Sequence, residues 1–586
     1  MGAADTLNSL IKSAAGTCKP ILGMLLGIMM ISASNGSFAQ DRTLISFPIQ
    51  DLSSDRGISE EKITRPKEVS DAKIEKTPTN RMEKYPYFQR PAHYTLLTPR
   101  QQCALQDVAG GELPQIPSGK SANLFFSQDL SLNFNTPDRK QVLDWRTGSG
   151  KSYLIPALEI SGFILALNGI ARLTNPDVTE DGKKVYSSNF SSSWDHLVHG
   201  PWVIDTDGFG VNQLNHSYQG AIYQNLARST GLGFWESAGY TFMGSFLWEI
   251  GGETTKPSIN DQIASGIAGN FLGEPLFRMA SLLLEHGDPG FWRELGAALI
   301  SPPTGFNRLV FGDRFGVIFP SHDPPIFWRV RLGATRTDYT SGGNPESFEH
   351  NGATADFSMT YGLPGKPGYP YNRPFDYFQF ELTTVSNGDN SLENLMSRGL
   401  LLGKAYEVGE SFRGIWGLYG SYDYISPRFF RVSSTALSFG TTGQWWLSRS
   451  AALQSSALVG MGYGAAGNIS GEGQRDYHYG ATGQGLLALR LILGDVAMLE
   501  ATLREYYISD LASTTPRGSE IIGRLNLGLT FRIYGHHAIG VQYLLSARDG
   551  DYVDLPNQHQ RMGTFTLVYT LLSDTRFGAV EWRKSR

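Results

Sequence analysis

Cysteine is almost absent: the 586 residues contain two, Cys18 and Cys103. Cys18 falls in a segment expected to be cleaved, which leaves Cys103 alone, so no intramolecular disulfide framework is available. Charge is also sparse at 18%, and 50 basic against 55 acidic side chains leave a net charge of −5. No basic tract interleaves with aromatics, which argues against nucleic acid as a partner. No Gly-x-Ser-x-Gly elbow occurs, so the most legible serine-hydrolase signal is missing. No established zinc spacing is present either; His216 with Glu249 and Glu253 would be a possible ligand set, but carboxylate–histidine groupings are common, and no metal and no cofactor are expected. What the chain has in quantity is glycine, at 67 residues, and aromatics, at 12%.

The first forty residues read as an export signal. Lys12 and Lys19 supply positive charge, Ile21 to Ile31 is an apolar run too short to span a membrane comfortably, and Ser37-Phe38-Ala39 supplies small residues at the −3 and −1 positions. Residues 1–39 are therefore expected to be a signal peptide. Residues 40–95 are charged and proline-bearing, as in Pro66-Lys67-Glu68-Val69, and cannot bury enough apolar surface to offset their ordering entropy. A disordered periplasmic tail is expected, and its 41–95 stretch could reach an envelope partner. Residues 96–190 form an irregular or helical lead-in. Within it, Thr147-Gly148-Ser149-Gly150-Lys151-Ser152 imitates the end of a phosphate-binding loop, but Trp145 stands where the first glycine belongs. A turn is the expected structure. Leu154 to Leu173 is a helix candidate interrupted by Glu159, Asn168 and Arg172, expected to be packed or interfacial.

From about Phe327 the spacing changes to alternation. Trp328, Val330, Leu332 and Ala334 alternate with Arg329, Arg331, Gly333 and Thr335, and Arg524 to Ile533 keeps one face wholly apolar. Segments of this type begin near residues 327, 352, 375, 398, 412, 434, 452, 477, 495, 519, 537 and 561. Tight connections at Gly409-Glu410-Ser411, Leu493-Gly494 and Tyr534-Gly535-His536 alternate with long polar ones. Short turns on one side and long loops on the other are the mark of an outer-membrane barrel. A soluble sandwich or propeller fits less well, because its hairpins are rarely so regular. The predicted fold class is α+β, an N-terminal helical domain followed by a membrane β-barrel of about 12 antiparallel strands. The barrel is assigned to residues 320–574, in the outer membrane, with the N-terminal region in the periplasm and membrane lipid as its surroundings. The inner face would carry Arg329, Arg331, Glu381, Arg490, Glu500, Arg504, Arg524 and Arg532, which predicts a lumen crossed by ion pairs or filled.

The helical domain, residues 191–290, holds most of the polar residues with chemical interest. Three helices are read after Gly210: one from about Asn212 to Ser229, one from about Phe234, and one opened by Ser258 as N-cap with Asp261 three residues on. Ser237, Thr241, Ser245 and Glu249 recur every fourth residue and so share one face, as do Gly266, Asn270, Glu274 and Arg278. A surface pair of Glu274 with Arg278 and a kink at Pro275 are expected. Small and polar stripes suit close packing of helices in an apolar setting. Acids and a histidine on facing helices suit acid–base chemistry instead, with His216 as general base assisted by Glu249 or Glu253. Asp195, Asn212, Tyr218, Arg228, Asn260, Asp261, Glu274 and Arg278 make up the surrounding binding or structural cluster, whereas His196 and His199 read as structural or loop residues.

The blocks Asn215-His216-Ser217-Tyr218-Gln219-Gly220, Asn225-Leu226-Ala227-Arg228-Ser229, Gly244-Ser245-Phe246-Leu247-Trp248-Glu249, Pro257-Ser258-Ile259-Asn260-Asp261 and Gly273-Glu274 resemble a bacterial family called domain of unknown function 3943. The resemblance covers roughly residues 190–285. It implies an envelope protein and brings no activity with it. Two functions follow. The first is a structural or transport barrel whose lumen or periplasmic mouth is occupied by the helices. The second is an envelope lipid-modifying hydrolase or transferase, for which the sequence identifies no nucleophile, Ser217, Ser237 and Ser245 having no motif to distinguish them.

Overall fold

The computed structural model describes residues 141–583, apart from residues 177, 181–182, 206, 287–289, 343–347, 387–390, 428, 469–476, 511–516 and 554–555. The expected signal peptide, the 40–95 tail, Cys103 and parts of the long loops lie outside the described residues. The helices and the barrel belong to one compact unit.

Twelve antiparallel strands close on themselves. They are β1 Ile326–Gly342, β2 Phe348–Tyr361, β3 Phe378–Val385, β4 Leu392–Val408, β5 Phe412–Ile425, β6 Phe430–Trp446, β7 Ala451–Asn468, β8 Tyr477–Leu493, β9 Ala497–Ile508, β10 Gly518–Tyr534, β11 His537–Tyr552 and β12 Gln558–Leu572. Closure comes from β12 pairing with β1, with Leu567 opposite Ala334 and Tyr569 opposite Leu332. The three tight turns are made by glycines in the left-handed region, Gly409, Gly494 and Gly535, with φ of 58°, 60° and 51°. Residues with a Cβ adopt that conformation rarely. β1 starts and β12 ends on this short-turn side.

Side-chain direction alternates along each strand. Leu487, Leu499, Leu527, Val541 and Phe565 point outward and are exposed, giving the apolar band of a membrane-spanning wall. The opposite parity faces the lumen, where charges pair across strands. Arg331 meets Asp356 at 2.9 Å, Arg490 meets Glu500 at 3.1 Å, Arg504 meets Glu381 at 3.0 Å and Arg524 meets Glu393 at 3.3 Å. Of the arginines predicted to face inward, Arg532 departs from this network, pairing at the rim with Asp495 in the β8–β9 turn.

Ahead of the barrel come α1 (Leu154–Thr174), α2 (Phe190–Val198), α3 (His216–Ser229), α4 (Phe234–Gly251), α5 (Ile259–Ile263), α6 (Gly269–Glu285), α7 (Phe291–Ile300) and α8 (Pro302–Val310). A π-turn, Val211–Asn215, leads into α3, and a second, Ala264–Ala268, joins α5 to α6. The imitation phosphate loop is a turn, with the Asp144 carboxylate accepting from the Arg146 amide at 2.9 Å and from the Thr147 hydroxyl at 2.8 Å. In α1, Ile160, Ile164 and Leu167 are buried while Leu154, Leu158, Leu165 and Leu173 are exposed.

Of the two expected placements of the helices, in the lumen or at its periplasmic mouth, the first is not what the structure has. Strand parity fixes the point. In β5, Asp423 faces the lumen beside Arg398, so Tyr422 and Tyr424 face out. In β8, Gln484 and Arg490 face in, so Tyr477 and Tyr479 face out. All four tyrosines are buried, because the helices cover them in one apolar cluster with Phe209, Tyr218, Phe271, Leu272 and Leu276. The outward side chains Tyr361, Phe378, Leu395 and Ala465 join the same cluster. The domain therefore packs on the outer wall along β2 to β8.

The lumen is stopped by another segment. After β12 the chain turns into the short-turn end of the barrel, where Phe577 is fully buried among the inward Phe327, Trp446, Ile492, Met498 and Leu572. Gln444 donates to the Val580 carbonyl at 2.7 Å and accepts from the Val580 amide at 3.0 Å, and Gln454 donates to the Gly578 carbonyl at 2.9 Å.

Pro275, where a kink was expected, lies inside the continuous helix α6. Proline has no N–H for the carbonyl four residues back, that of Phe271. The Ser397 hydroxyl on β4 donates to this carbonyl instead. Ser397→Ala should cost about 1–3 kcal/mol by stranding that carbonyl. In a Pro275→Ala background, where the restored amide serves it, the same change should cost clearly less. A double-mutant cycle in denaturant checks this; equal costs in both backgrounds would refute it.

Candidate functional site

Close contact between α3 and the second π-turn sets the geometry of the site. A Cβ on Gly220 would lie 2.0 Å from the Ser265 carbonyl oxygen, and one on Gly269 would lie 2.6 Å from the Gly220 Cα. Only glycine allows the two backbones to touch in this way. One turn earlier on α3, His216 then comes opposite Ser265, with Nδ1 3.4 Å from the serine Oγ. Its Nε2 lies 3.6 Å from Oδ2 of Asp261. Both π-turns sit beside these residues, a placement common at functional sites.

Asp261 and Glu249 are held by the α5 cap. The Ser258 hydroxyl accepts from the Asp261 amide at 3.1 Å, and the Ser258 amide donates to Glu249 at 2.7 Å. Asn260 organises the rest. Its side-chain oxygen accepts from the Asp205 amide at 2.7 Å, and its NH₂ donates to Asp261 Oδ1 at 3.1 Å and to the Tyr479 hydroxyl on β8 at 2.9 Å. Asn212 donates to the hydroxyls of Tyr477 and Tyr479, each at 3.0 Å. Ligand-capable atoms of His216, Glu249 and Asp261 all lie within 4.8 Å of one another.

Burial dominates the electrostatics. It pushes Asp261 up to about 8, with Asp207 adding to the effect. It raises Glu253 to about 8, again with Asp207, and Asp205 to about 7, with Asp261. Glu249 is pushed well up by burial and by the neighbouring Asp261 and Glu253. His216 is lowered by burial, which the nearby Asp205 and Asp207 only partly oppose.

A second cluster lies apart from the first. Glu274 is fully buried and pairs with Arg228 at 2.7 Å and with Arg278 at 2.9 Å. Burial alone would raise Glu274, but the two guanidiniums outweigh it and hold its carboxyl below the usual range. Arg278 reaches on to Asp376, in the β2–β3 connection, at 3.1 Å, and to the Pro374 carbonyl at 2.6 Å. The Glu274–Arg278 pair expected on a surface is therefore an interior pair that fastens the helices to the barrel.

The sequence-derived cluster thus divides. His216, Glu249, Asp261, Asn260 and Asn212 come together, with Glu253 partly buried close by and bonded to the Thr255 hydroxyl at 2.9 Å. Arg228, Glu274 and Arg278 form the second group, and Tyr218 belongs to the apolar core. Asp195 is not part of either, being exposed on α2 and facing His199 at 3.3 Å. Ser265, Asp205, Tyr477, Tyr479 and Asp376 were missing from the predicted site. Ser265 carries no local motif, and the tyrosines look like ordinary wall residues in a strand pattern. Ser217 donates to the Gln213 carbonyl at 2.9 Å, Ser237 is a buried helix residue, and Ser245 faces the Asp261 carbonyl at 3.5 Å, so these serines do not adjoin the His216 ring nitrogens through any of these bonds.

The lumen offers a separate feature. On the long-loop side it holds a cavity of about 430 Å³ lined by Arg331, Glu381, Glu393, Arg504, Arg524 and His350 among others. A smaller space of about 110 Å³ lies deeper, around Arg329, Arg490 and Glu500.

Residues 201–303 match the family model described as a domain of unknown function, DUF3943. The chain carries that domain. The match encloses both buried clusters and extends past the resembling blocks through α7. No curated protein matches. Among solved structures, the NanC porin is 7% identical with a TM-score of 0.21, over 40% of this chain and 98% of that one. The Pseudomonas putida toluene transporter TodX is 10% identical with a TM-score of 0.18, over 43% and 90%. The anion-selective porin from Comamonas acidovorans is 7% identical with a TM-score of 0.19, over 42% and 99%.

Two outcomes are expected. Glu274→Gln should cost about 3–5 kcal/mol, because it strands two buried guanidiniums, while Glu236→Gln, which loses a half-exposed pair with Lys151, should cost less than about 1 kcal/mol. Denaturation of both variants checks the contrast. The raised carboxyls also tie stability to pH. Above the unfolded-state range, near 4, the folded chain binds more protons than the unfolded one, so stability falls as pH rises until the folded values, about 7 to 8, are passed. In chelator, the helical melting midpoint should drop between pH 6.5 and 8.5, and Asp261→Asn with Glu253→Gln should flatten the drop.

Proposed function

We propose that the chain is an outer-membrane transport barrel held closed by its own segment 573–583. The observation that carries this reading is the combination of a cavity lined in part by charged side chains on the long-loop side with a stopper at the short-turn end. The stopper is held by the buried Phe577, by side-chain bonds to Gln444, Gln454 and Trp446, and at the rim by Trp582 and Arg583, which donate to the carbonyls of Glu410, Ser448 and Arg449. Long loops face the exterior in such barrels, so the stopper would face the periplasm. The apolar band and the exposed Trp416, Phe439, Trp445 and Tyr569 support a lipid setting for the wall. Residues 1–39 act as the export signal in this reading, and the 41–95 stretch is available to an envelope partner. The helical domain, with exposed Leu158, Leu165, Phe242, Met243 and Phe306, lies along the wall in contact with lipid and serves as its brace.

A second reading rests on Ser265, His216 and Asp261, whose 3.4 Å and 3.6 Å contacts follow the serine–histidine–acid order of acyl-transfer enzymes. It makes the helical domain an envelope lipid hydrolase or transferase with His216 as general base.

Planar-bilayer recording separates the two. The intact chain should conduct little, and a chain ending after Leu572 should show discrete openings. Equal conductance from the two folded proteins would refute closure by segment 573–583, and the absence of openings from both would refute the transport reading. Lipid turnover in liposomes by the intact chain, lost in His216→Ala and in Ser265→Ala, would favour the second.

A further inference from the structure

We propose that His216, Glu249 and Asp261 bind one divalent transition-metal ion where the helices meet the barrel wall. This rests on neither functional reading above.

The geometry is that of a ligand set. Two atoms 2.0–2.2 Å from a tetrahedral ion lie about 3.4 Å apart. His216 Nε2 and Asp261 Oδ2 are separated by 3.6 Å, and a carboxylate oxygen of Glu249 completes a triangle within 4.8 Å. The ligands come from three elements, α3, α4 and α5, whose backbones are fixed against one another by the Gly220 contact and the Ser258 cap.

The groups behind the ligands are those a metal site requires. A metal-binding histidine is oriented by a bond from its other nitrogen, and ligating carboxylates are themselves hydrogen-bonded. Ser265 Oγ lies 3.4 Å from His216 Nδ1, Asn260 donates to Asp261 Oδ1 at 3.1 Å, and the Ser258 amide donates to Glu249 Oε2 at 2.7 Å. In each carboxylate one oxygen is thereby occupied and the other is available.

Charge balance gives an independent argument. Among the described residues no lysine or arginine pairs with Glu249, Glu253, Asp205 or Asp261, whereas Glu274 nearby has two guanidiniums. Two ligand carboxylates would neutralise a divalent ion in this interior. Asn212, fully buried and bonded to Asp205, leaves its side-chain oxygen without a hydrogen-bond donor. One imidazole with carboxylates and no thiolate suits Zn²⁺, Mn²⁺ or Fe²⁺. The barrel takes part through Tyr479, which accepts from Asn260 at 2.9 Å, so the wall orients a ligand that the helices supply.

The test uses the full chain in detergent, stripped with chelator and titrated calorimetrically with Zn²⁺ and separately with Mn²⁺. One ion per chain is expected. Glu249→Gln and Asp261→Asn, which keep shape, should each weaken binding at least about tenfold, and Tyr479→Phe, which loosens Asn260, should weaken it about tenfold. Glu294→Gln, in an ion pair on α7, should bind as the parent does. Zn²⁺ should also raise the helical melting midpoint in the parent and not in Asp261→Asn. Absence of stoichiometric binding by the folded parent overturns the proposal. So does equal affinity in the parent, Glu249→Gln and Asp261→Asn, which would mark the ions as adventitious.

Discussion

A wall that faces lipid cannot leave polar groups uncovered, and this constraint organises the molecule. Tyr422, Tyr477 and Tyr479 all point outward, as does Ser397, and each would lack a partner in hydrocarbon. The helical domain supplies those partners. Tyr422 donates to the Gln213 carbonyl at 2.5 Å, Tyr477 donates to the Asp207 carbonyl at 2.6 Å, and Tyr479 receives Asn212 and Asn260. Ser397 serves the carbonyl that Pro275 leaves free. Arg431, also outward and buried, lies over the Phe209 ring at 5.5 Å. Polar wall and polar helices therefore complete one another, and the apolar cluster around them excludes solvent.

The same docking makes the buried carboxylates tolerable. Asp205, Glu249 and Asp261 sit where the wall tyrosines and Asn260 shield them, rather than in a solvated cleft. The Arg228–Glu274–Arg278 group performs the mechanical task nearby, since Arg278 bonds to Asp376 and Pro374 in the connection leading into β3. One cluster is electrically complete and fastens the domain. The other has acids in excess over cations, which is why its chemistry differs.

Inside the barrel the ion pairs and segment 573–583 take the role that the helices were expected to fill. Mixed charge on the inner face was legible in Arg329, Arg490, Glu500 and Arg504, because strict alternation assigns their parity. Asp356 and Glu393, the partners of Arg331 and Arg524, carry no such signal, since each meets its arginine only across strands of the folded barrel. Nor could the stopper be read, because Phe577, Val580 and Trp582 form no periodic pattern and gain meaning only from Gln444, Gln454 and Trp446 more than a hundred residues earlier.

The sequence by itself determined the barrel, its strand number, its turn glycines and most of the polar residues in the two helical clusters. These depend on local quantities: a period of two, a residue tolerant of positive φ, and a helix cap three residues from its acid. Only the tertiary structure decided which part of the wall meets the helices, because outward tyrosines such as Tyr422, Tyr424, Tyr477 and Tyr479 occupy positions that the strand period equally assigns to lipid. It also decided the grouping, joining His216 to Asp261 and Ser265 while separating both from Arg228 and Glu274. That grouping follows from the glycine contact between α3 and the second π-turn, a contact made between residues 45 to 49 positions apart in sequence whose distance no local pattern encodes.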